Sequence, residues 1–269
     1  MFIKMHGLGN DFAIFDGRRE KVHISTDRIR ELADRRTGIG FDQMVIINPP
    51  QTTGTDAFLR IYNADGSEVG ACGNATRCIG KLLIAELDKL EVVLETKADK
   101  LRAKMVGAKI CVDMGNVNLE WHKIPLSHLE QTDNLSVSEG SLKHPVAVNV
   151  GNPHAVFFVE DVDRVPLKTL GPKIEYNPLF PERTNVEVAQ VLSPTKLRMR
   201  VWERGAGITQ ACGTGACAVA IAGVRRGLTQ RKATVVLDGG ELEIEWRESD
   251  NHVLMTGDAV EVYRGQIEI

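Results

Sequence analysis

The chain repeats itself once, and this constrains what it can fold into more than any feature of its composition. Gly9-Asn10, followed by Ala13 and Phe15, recurs 142 residues later as Gly151-Asn152, followed by Ala155 and Phe157. Gln43, heading an apolar run, falls by the same shift on Asn185. Arg60-Ile61-Tyr62-Asn63 returns 140 residues on as Arg200-Val201-Trp202-Glu203, and Ala71-Cys72-Gly73-Asn74 returns at that shift as Ala211-Cys212-Gly213-Thr214. Gly115, after an apolar run, reappears 142 residues later as Gly257. Five blocks in one order, with a shift that varies by two residues, mark a duplicated unit rather than coincidence.

A chain of 269 residues is long enough for two domains of ordinary size. The expected halves are residues 1–117 with 260–269, and residues 118–259, joined within the polar stretch 118–143. Both are expected to be α+β. Leu59-Arg60-Ile61-Tyr62, Leu101-Arg102-Ala103-Lys104-Met105 and Glu241-Leu242-Glu243-Ile244-Glu245-Trp246 alternate with the period of half-buried strands. Helical spacing appears at Ile29, Leu32, Ala33 and Arg36, stopped by Gly38, and at Cys78, Ile79, Leu82, Leu83 and Leu87. A third helix fits residues 215–226, where Arg225 and Arg226 suit the negative end of the dipole and Gly227 can cap it. In a duplicated fold, a ligand pocket is expected where the halves meet, with equivalent residues on its two sides.

Charge and cysteine usage narrow the function classes. A net charge of −3 gives no electrostatic footprint for nucleic acid. The longest apolar run, residues 216–224, is too short to span a bilayer, and the N-terminal residues carry no signal-peptide pattern. The expected location is cytoplasmic. Five cysteines do not read as a secreted disulfide framework, so their placement needs a chemical or packing reason.

Two of them have a chemical one. Cys72 and Cys212 each follow a small residue, precede a glycine, and stand just ahead of a helical pattern. At a helix N-terminus, unpaired N–H groups and the dipole favour an anion and can draw a thiol below its ordinary pKa. The glycines that follow let backbone approach a ligand closely. Inverting a stereocentre without a cofactor takes a base on one face of the carbon and an acid on the other, and one thiolate with one thiol supplies both. The α-proton of an amino acid is weakly acidic, so the developing charge must be stabilised in a dry pocket. Cys78 and Cys217, inside helical patterns, and Cys111, in a strand pattern, are assigned to packing. A zinc site built from the paired cysteines is the structural competitor. Cys72 with Cys78 and Cys212 with Cys217 have the wrong spacing for a zinc knuckle, and helical geometry points the members of each pair apart.

Polar residues in the repeated blocks are the candidate substrate contacts: Asn10, Gln43 and Asn63 in the first half, Asn152, Asn185, Glu203 and Arg204 in the second. Turn formation by the loop asparagines and a solvated ion pair for Glu203-Arg204 are the plainer alternatives. As functional groups, Arg204 would pair a carboxylate and Glu203 an ammonium, a combination that suits a zwitterion. His154 either orients a polar group near the reacting centre or is a structural histidine.

The segments Asn63-Ala64-Asp65-Gly66-Ser67-Glu68-Val69-Gly70-Ala71-Cys72-Gly73-Asn74-Ala75-Thr76-Arg77 and Glu203-Arg204-Gly205, leading to Ala211-Cys212-Gly213-Thr214-Gly215, resemble the two cysteine signatures of the diaminopimelate epimerase family. His6-Gly7-Leu8-Gly9-Asn10-Asp11-Phe12 and Gly151-Asn152-Pro153-His154 extend the resemblance over the whole chain. Ala75, where many members carry glycine, is a small departure. The resemblance implies interconversion of LL- and meso-2,6-diaminopimelate by two cysteines, with no pyridoxal phosphate, other cofactor or metal. It implies halves that are each a curved sheet around a central helix, with the active site in the cleft between them. It carries substrate contact onto Asn10, Gln43, Asn63, Gly73, Asn74, Asn152, Asn185, Glu203, Arg204, Gly213 and Thr214, and a supporting role in catalysis onto His154 and Glu203. It also implies a homodimer with Tyr263 at the interface. The alternatives are a two-cysteine racemase for another small acid, a non-catalytic zinc- or ligand-binding protein, and a redox protein whose thiols join on oxidation.

Overall fold

A computed structural model describes residues 1–269. It divides into two compact units, Met1–Asp113 with Thr256–Ile269, and Met114–Met255. The first unit begins with β1 (Phe2–Gly7), β2 (Asn10–Asp16), α1 (Thr26–Ala33), β3 (Gln43–Asn48), β4 (Ala57–Asn63) and β5 (Glu68–Val69). It continues with α2 (Gly73–Leu87), β6 (Glu91–Glu95), β7 (Lys100–Val106) and β8 (Lys109–Asn116). In the second unit β9 (Ser138–Glu139) and β10 (Leu142–Lys143) form a small hairpin, followed by β11 (Val146–Asn149), β12 (Pro153–Phe158), α3 (Leu167–Glu175) and β13 (Asn185–Ser193). Then come β14 (Lys196–Glu203), β15 (Gly207–Ile208), α4 (Gly213–Arg225), β16 (Lys232–Leu237), β17 (Gly240–Trp246) and β18 (His252–Gly257). The last strand, β19 (Val260–Gly265), pairs with β1 in the first unit.

The repeat in the sequence is a repeat in strand pairing. β1–β2 and β11–β12 are antiparallel, β2–β3 and β12–β13 parallel, and β3–β4 and β13–β14 antiparallel. β4 and β14 each pair with a two-residue strand, β5 or β15, and lie parallel to β6 or β16, which turns back into β7 or β17. Gln43 opposes Phe12 in one parallel ladder and Asn185 opposes His154 in the other, so the amides that the repeat aligned head equivalent strands.

Each curved sheet has a helix on its inner face. Gly213 and Gly215 to Gly223 of α4 are buried, and the helix packs against β11, β12, β13, β14, β16 and β17. A helix that is apolar all round has to be central, and its alanines and glycines let strands approach closely on every side. α2 packs on β1, β6 and β7 by the same device. A methyl group on Gly80 would come within 2.6 Å of the Ala103 side chain. On the outer faces, α1 completes a core of Phe15, Ile29, Leu32, Phe41 and Met44, and α3 one of Phe157, Leu170, Ile174 and Val188. No helix is long and apolar enough to cross a membrane.

Some elements differ from the sequence expectation for local reasons. α1 stops at Ala33 rather than reaching Arg36, because Asp34 is extended and its carboxylate accepts from the N–H groups of Arg36 and Thr37. α4 begins at Gly213, before Gly215, and Gly227 follows it with φ +66°. Arg225 serves more than the dipole, since its guanidinium donates to Ala147 O and to Thr132 Oγ1. Residues 118–143 are packed structure, with Ile124, Leu126, Leu135, Val137 and Leu142 in the outer core of the second unit.

Candidate active site

Both cysteines are N-cap residues. Cys72 precedes α2 with φ −150° and ψ 113°, and Cys212 precedes α4 with φ −125° and ψ 109°. None of the five cysteines is in a disulfide, and Cys78, Cys111 and Cys217 are buried in the packing. Burial pushes the Cys78 thiol up to about 12, as befits an inert core cysteine.

In the first unit the cysteine is surrounded by amides. The β1–β2 hairpin turns through two left-handed residues, Leu8 and Gly9, which sets Asn10 at the start of β2. Asn10 Oδ1 stands 4.0 Å from the Cys72 sulfur and accepts from Asn74 Nδ2 at 3.1 Å. The other end of the Asn10 amide donates to Asp42 Oδ2 at 3.0 Å, which fixes its orientation. Asp42 in turn pairs with Arg35, which also holds Asp11. Burial alone would raise the Asp11 carboxyl, but Arg35 and Lys4 hold it well below the carboxylate range. Gln43 and Asn63 face one another across β3 and β4, with Gln43 Nε2 donating to Asn63 Oδ1 at 3.0 Å. Two carbonyl oxygens here, Gln43 Oε1 and Asn74 Oδ1, are buried without a hydrogen-bond partner. Unpaired buried acceptors are costly, and an ammonium group or N–H donor from a ligand would satisfy them.

The second unit has a different character. Cys212 is 4% exposed, accepts from Gly215 N at 3.4 Å, and lies 3.5 Å from Thr214 Oγ1. Glu203, at the end of β14, takes hydrogen bonds from Thr209 Oγ1 and the Cys212 thiol. Burial nevertheless pushes the Glu203 carboxyl above its usual value. His154 and Glu187 are both fully buried, with His154 Nδ1 2.6 Å from Glu187 Oε1, and His154 Nε2 is 2.8 Å from Asn152 Oδ1. Asn185 is committed at both ends, donating to Pro153 O at 2.8 Å and accepting from Arg204 N at 2.9 Å. The Arg204 guanidinium donates to Glu182 O at 2.9 Å rather than to Glu203.

The expectation that a helix N-terminus lowers the thiol pKa fails for Cys212. Burial raises it well above the ordinary cysteine value, and the charges of Glu203 and Glu187 add to the effect. The helix N–H and Thr214 pull the other way without prevailing.

Thus the first unit groups Cys72, Asn10 and Asn74 and, separately, Gln43 with Asn63, while the second groups Cys212, Thr214 and Glu203, then His154 with Asn152, and Asn185 with Arg204. A sequence model of the diaminopimelate epimerase family matches residues 2–120 and 146–262. The chain belongs to the diaminopimelate epimerase family. It is 51% identical over 267 residues to the diaminopimelate epimerase of Rhodospirillum centenum, covering 99% of this chain and 91% of that one. With the enzyme of Erythrobacter litoralis it shares 50% over 268 residues, covering 99% and 97%. Solved structures extend the fold beyond the family. A PhzF-family phenazine biosynthesis protein from Bacillus anthracis superposes with a TM-score of 0.71 at 16% identity, covering 100% of this chain and 98% of that one. A hydroxyproline epimerase from Agrobacterium vitis, solved with trans-4-hydroxy-L-proline, gives 0.68 at 14% identity, covering 97% and 88%.

Two carboxylates beside these groups were not singled out by the sequence. Asp42 sits next to Gln43, and its role depends on the hairpin that brings Asn10 to it. Glu187 lies two residues beyond Asn185 in an otherwise apolar run, Val186, Val188 and Ala189. A charge in the middle of a buried strand was the available signal.

Proposed function

We propose that the chain interconverts LL- and meso-2,6-diaminopimelate by proton transfer at Cα, with Cys72 and Cys212 serving the two faces of that carbon. The observation that carries this reading is the pair of pseudo-equivalent N-cap cysteines in a chain of this family. One cysteine as thiolate removes the α-proton while the other as thiol delivers one, so each turnover exchanges their protonation states and consumes no redox equivalent. In the LL to meso direction Cys212 is the base and Cys72 the acid, and they exchange roles in reverse. No cofactor or metal takes part.

The substrate's charge explains how a thiol held up by carboxylates can act as a base. An ammonium group near Glu203 would offset the negative charge that favours the Cys212 thiol, so thiolate forms when substrate is present. N–H groups at the starts of α2 and α4, including those of Gly73, Asn74, Gly213 and Thr214, are suited to the substrate carboxylate as negative charge develops. Asn10, Gln43, Asn63, Asn152, Asn185 and Arg204 complete the contacts, and His154 with Glu203 supports the proton transfer. The unpaired Gln43 Oε1 and Asn74 Oδ1 favour a substrate that brings donors, as a diamino acid does.

On this reading the enzyme acts in the cytoplasm as a homodimer. β19 suits that assembly, because Val260, Val262 and Tyr263 are exposed on it, with Tyr263 edge-on to Phe2. The two functional halves are residues 1–117 with 260–269, and 118–259.

The test is an epimerase assay on LL-diaminopimelate with a metal chelator present and no added cofactor, run beside racemisation of proline. Formation of the meso isomer is the expected result. Proline racemisation without diaminopimelate turnover, or stoichiometric zinc in an inactive protein, would overturn the reading.

A further inference from the structure

We infer that Glu187 is a positioning residue for the proposed epimerisation: its buried carboxylate fixes the His154 ring and sets the field in which Cys212 exchanges its proton. This rests on the reading of Cys212 as a proton-transferring residue.

Glu187 stands in β13 with Val186, Val188 and Ala189 around it, opposite Val156 on β12 and Val201 on β14. All of these are buried, and Glu187 itself is fully buried. A carboxylate in such a strand is expensive to desolvate, and an apolar residue would pack there at no such cost. Its hydrogen bonding is too sparse to explain it as structural glue: Oε1 meets His154 Nδ1 at 2.6 Å, and Oε2 has no partner.

The contact with His154 is specific. A carboxylate at Nδ1 requires the proton on that nitrogen, which leaves Nε2 of the neutral ring as an acceptor, and the Asn152 side-chain amide, 2.8 Å away, meets it by turning its NH2 end to the ring. Held at both nitrogens, the ring cannot rotate. The second contact is with α4. A methyl group on Gly215 would lie 3.0 Å from Glu187 Oε1 and 3.3 Å from the Cys212 sulfur. The missing side chain at Gly215 therefore lets the carboxylate and the thiol share the first turn of the helix. Cys212 is faced by Glu187 from β13, Glu203 from β14, and Thr214 with the Gly215 N–H from α4, while His154 on β12 faces Glu187. Both charged groups nearest the thiol are carboxylates, and both favour its protonated form. Removing either charge must let the thiolate form at lower pH.

Glu187→Gln keeps the shape and an acceptor but removes the charge, and Glu187→Leu removes both. Wild type and both variants would be assayed with LL- and meso-diaminopimelate across pH, and the His154 ring followed by NMR in ¹⁵N-histidine-labelled protein, assigned with His154→Gln. Both variants should lose about tenfold to a hundredfold in kcat, with KM changed by less than about threefold. In Glu187→Gln the acid limb of kcat/KM should move down by roughly one pH unit for the isomer on which Cys212 is the base, and stay in place for the other. The His154 Nδ1–H resonance should lie far downfield in wild type and move upfield in Glu187→Gln.

Unchanged kcat, pH limb and ring signal in folded Glu187→Gln would overturn the proposal while leaving the epimerase reading intact. If wild type itself fails to epimerise, that reading falls instead, and the proposal falls with it as a statement about catalysis. Should both variants fail to fold, the wild-type spectrum decides, because a His154 ring unprotonated at Nδ1 contradicts the assigned hydrogen bond.

Discussion

The two cysteines begin their helices with nearly the same backbone, yet their surroundings have little in common. Cys72 is half-buried beside the amides of Asn10 and Asn74, and Asp42 holds the far end of the Asn10 amide. Cys212 is buried and lies in the field of Glu203 and Glu187, with His154 behind the second. The repeat has conserved what aims a sulfur, namely an extended residue ahead of a helix in a wrapped sheet, and has varied what sets that sulfur's charge. For a reaction that treats the two faces of one carbon, the division is chemically sensible. Geometry has to match on the two faces, whereas proton affinity can differ, because the substrate is not symmetric about the reacting carbon.

Removing one sulfur at a time should have the largest effect and separates the two halves directly. Cys72→Ser and Cys212→Ser should each lower epimerisation by about a thousandfold, since a serine hydroxyl is a poor base at neutral pH and positioned acid–base catalysis accounts for factors of 10² to 10⁴. The informative readout is solvent deuterium entering Cα. Each variant should exchange one isomer faster than the other, with the preference reversed between them. Identical residual exchange would mean that the two thiols do not serve opposite faces.

How far the sequence reached follows from the same contrast. The duplication, the halves' shared topology and both N-cap cysteines were legible because they rest on spacing, and spacing survives in sequence. The surroundings of the thiols were not, because they depend on which side chains distant strands bring together. Asp42 acts on Asn10 only through a hairpin turning at Leu8 and Gly9, and Glu187 reaches Gly215 only because β13 lies against α4. The expected lowering of the thiol pKa failed at Cys212 for this reason: the helix start was visible, and the burial of the thiol and the approach of Glu203 and Glu187 to it were not.

A milder perturbation separates charge from shape. Glu203→Gln should leave the fold intact and lower the Cys212 thiol pKa, because a negative neighbour that favours the protonated form is gone. Timed alkylation with iodoacetamide, read by mass spectrometry, measures this directly. In wild type Cys72 should react at least about tenfold faster than Cys212 at neutral pH, as the more exposed thiol. In Glu203→Gln the rise of Cys212 alkylation should begin at lower pH by roughly one unit, with the Cys72 profile unmoved. A shift to higher pH would mean that Glu203 stabilises the thiolate, and the contrast between the halves would need redrawing.

The smallest effect should come from the first half's carboxylate. Asp42 is exposed, and its pair with Arg35 is of the surface kind that contributes at most about 1 kcal/mol. Asp42→Ala should therefore lower the melting temperature by no more than about 2–4 °C. Its effect on activity runs through Asn10, whose Nδ2 it holds so that Oδ1 points to Cys72 and Asn74. Without that anchor the amide can turn over, presenting a donor where the thiol and the Asn74 amide need an acceptor. About a threefold to tenfold loss in kcat is the expected size for one neutral hydrogen bond at the edge of a site, near 1 kcal/mol. The loss should fall more heavily on turnover of the LL isomer, the direction in which the proposed assignment has Cys72 waiting as the thiol that donates to this acceptor. An equal loss for both isomers would make Asp42 a general support of the fold, and would leave the amide environment of Cys72 without an orienting group.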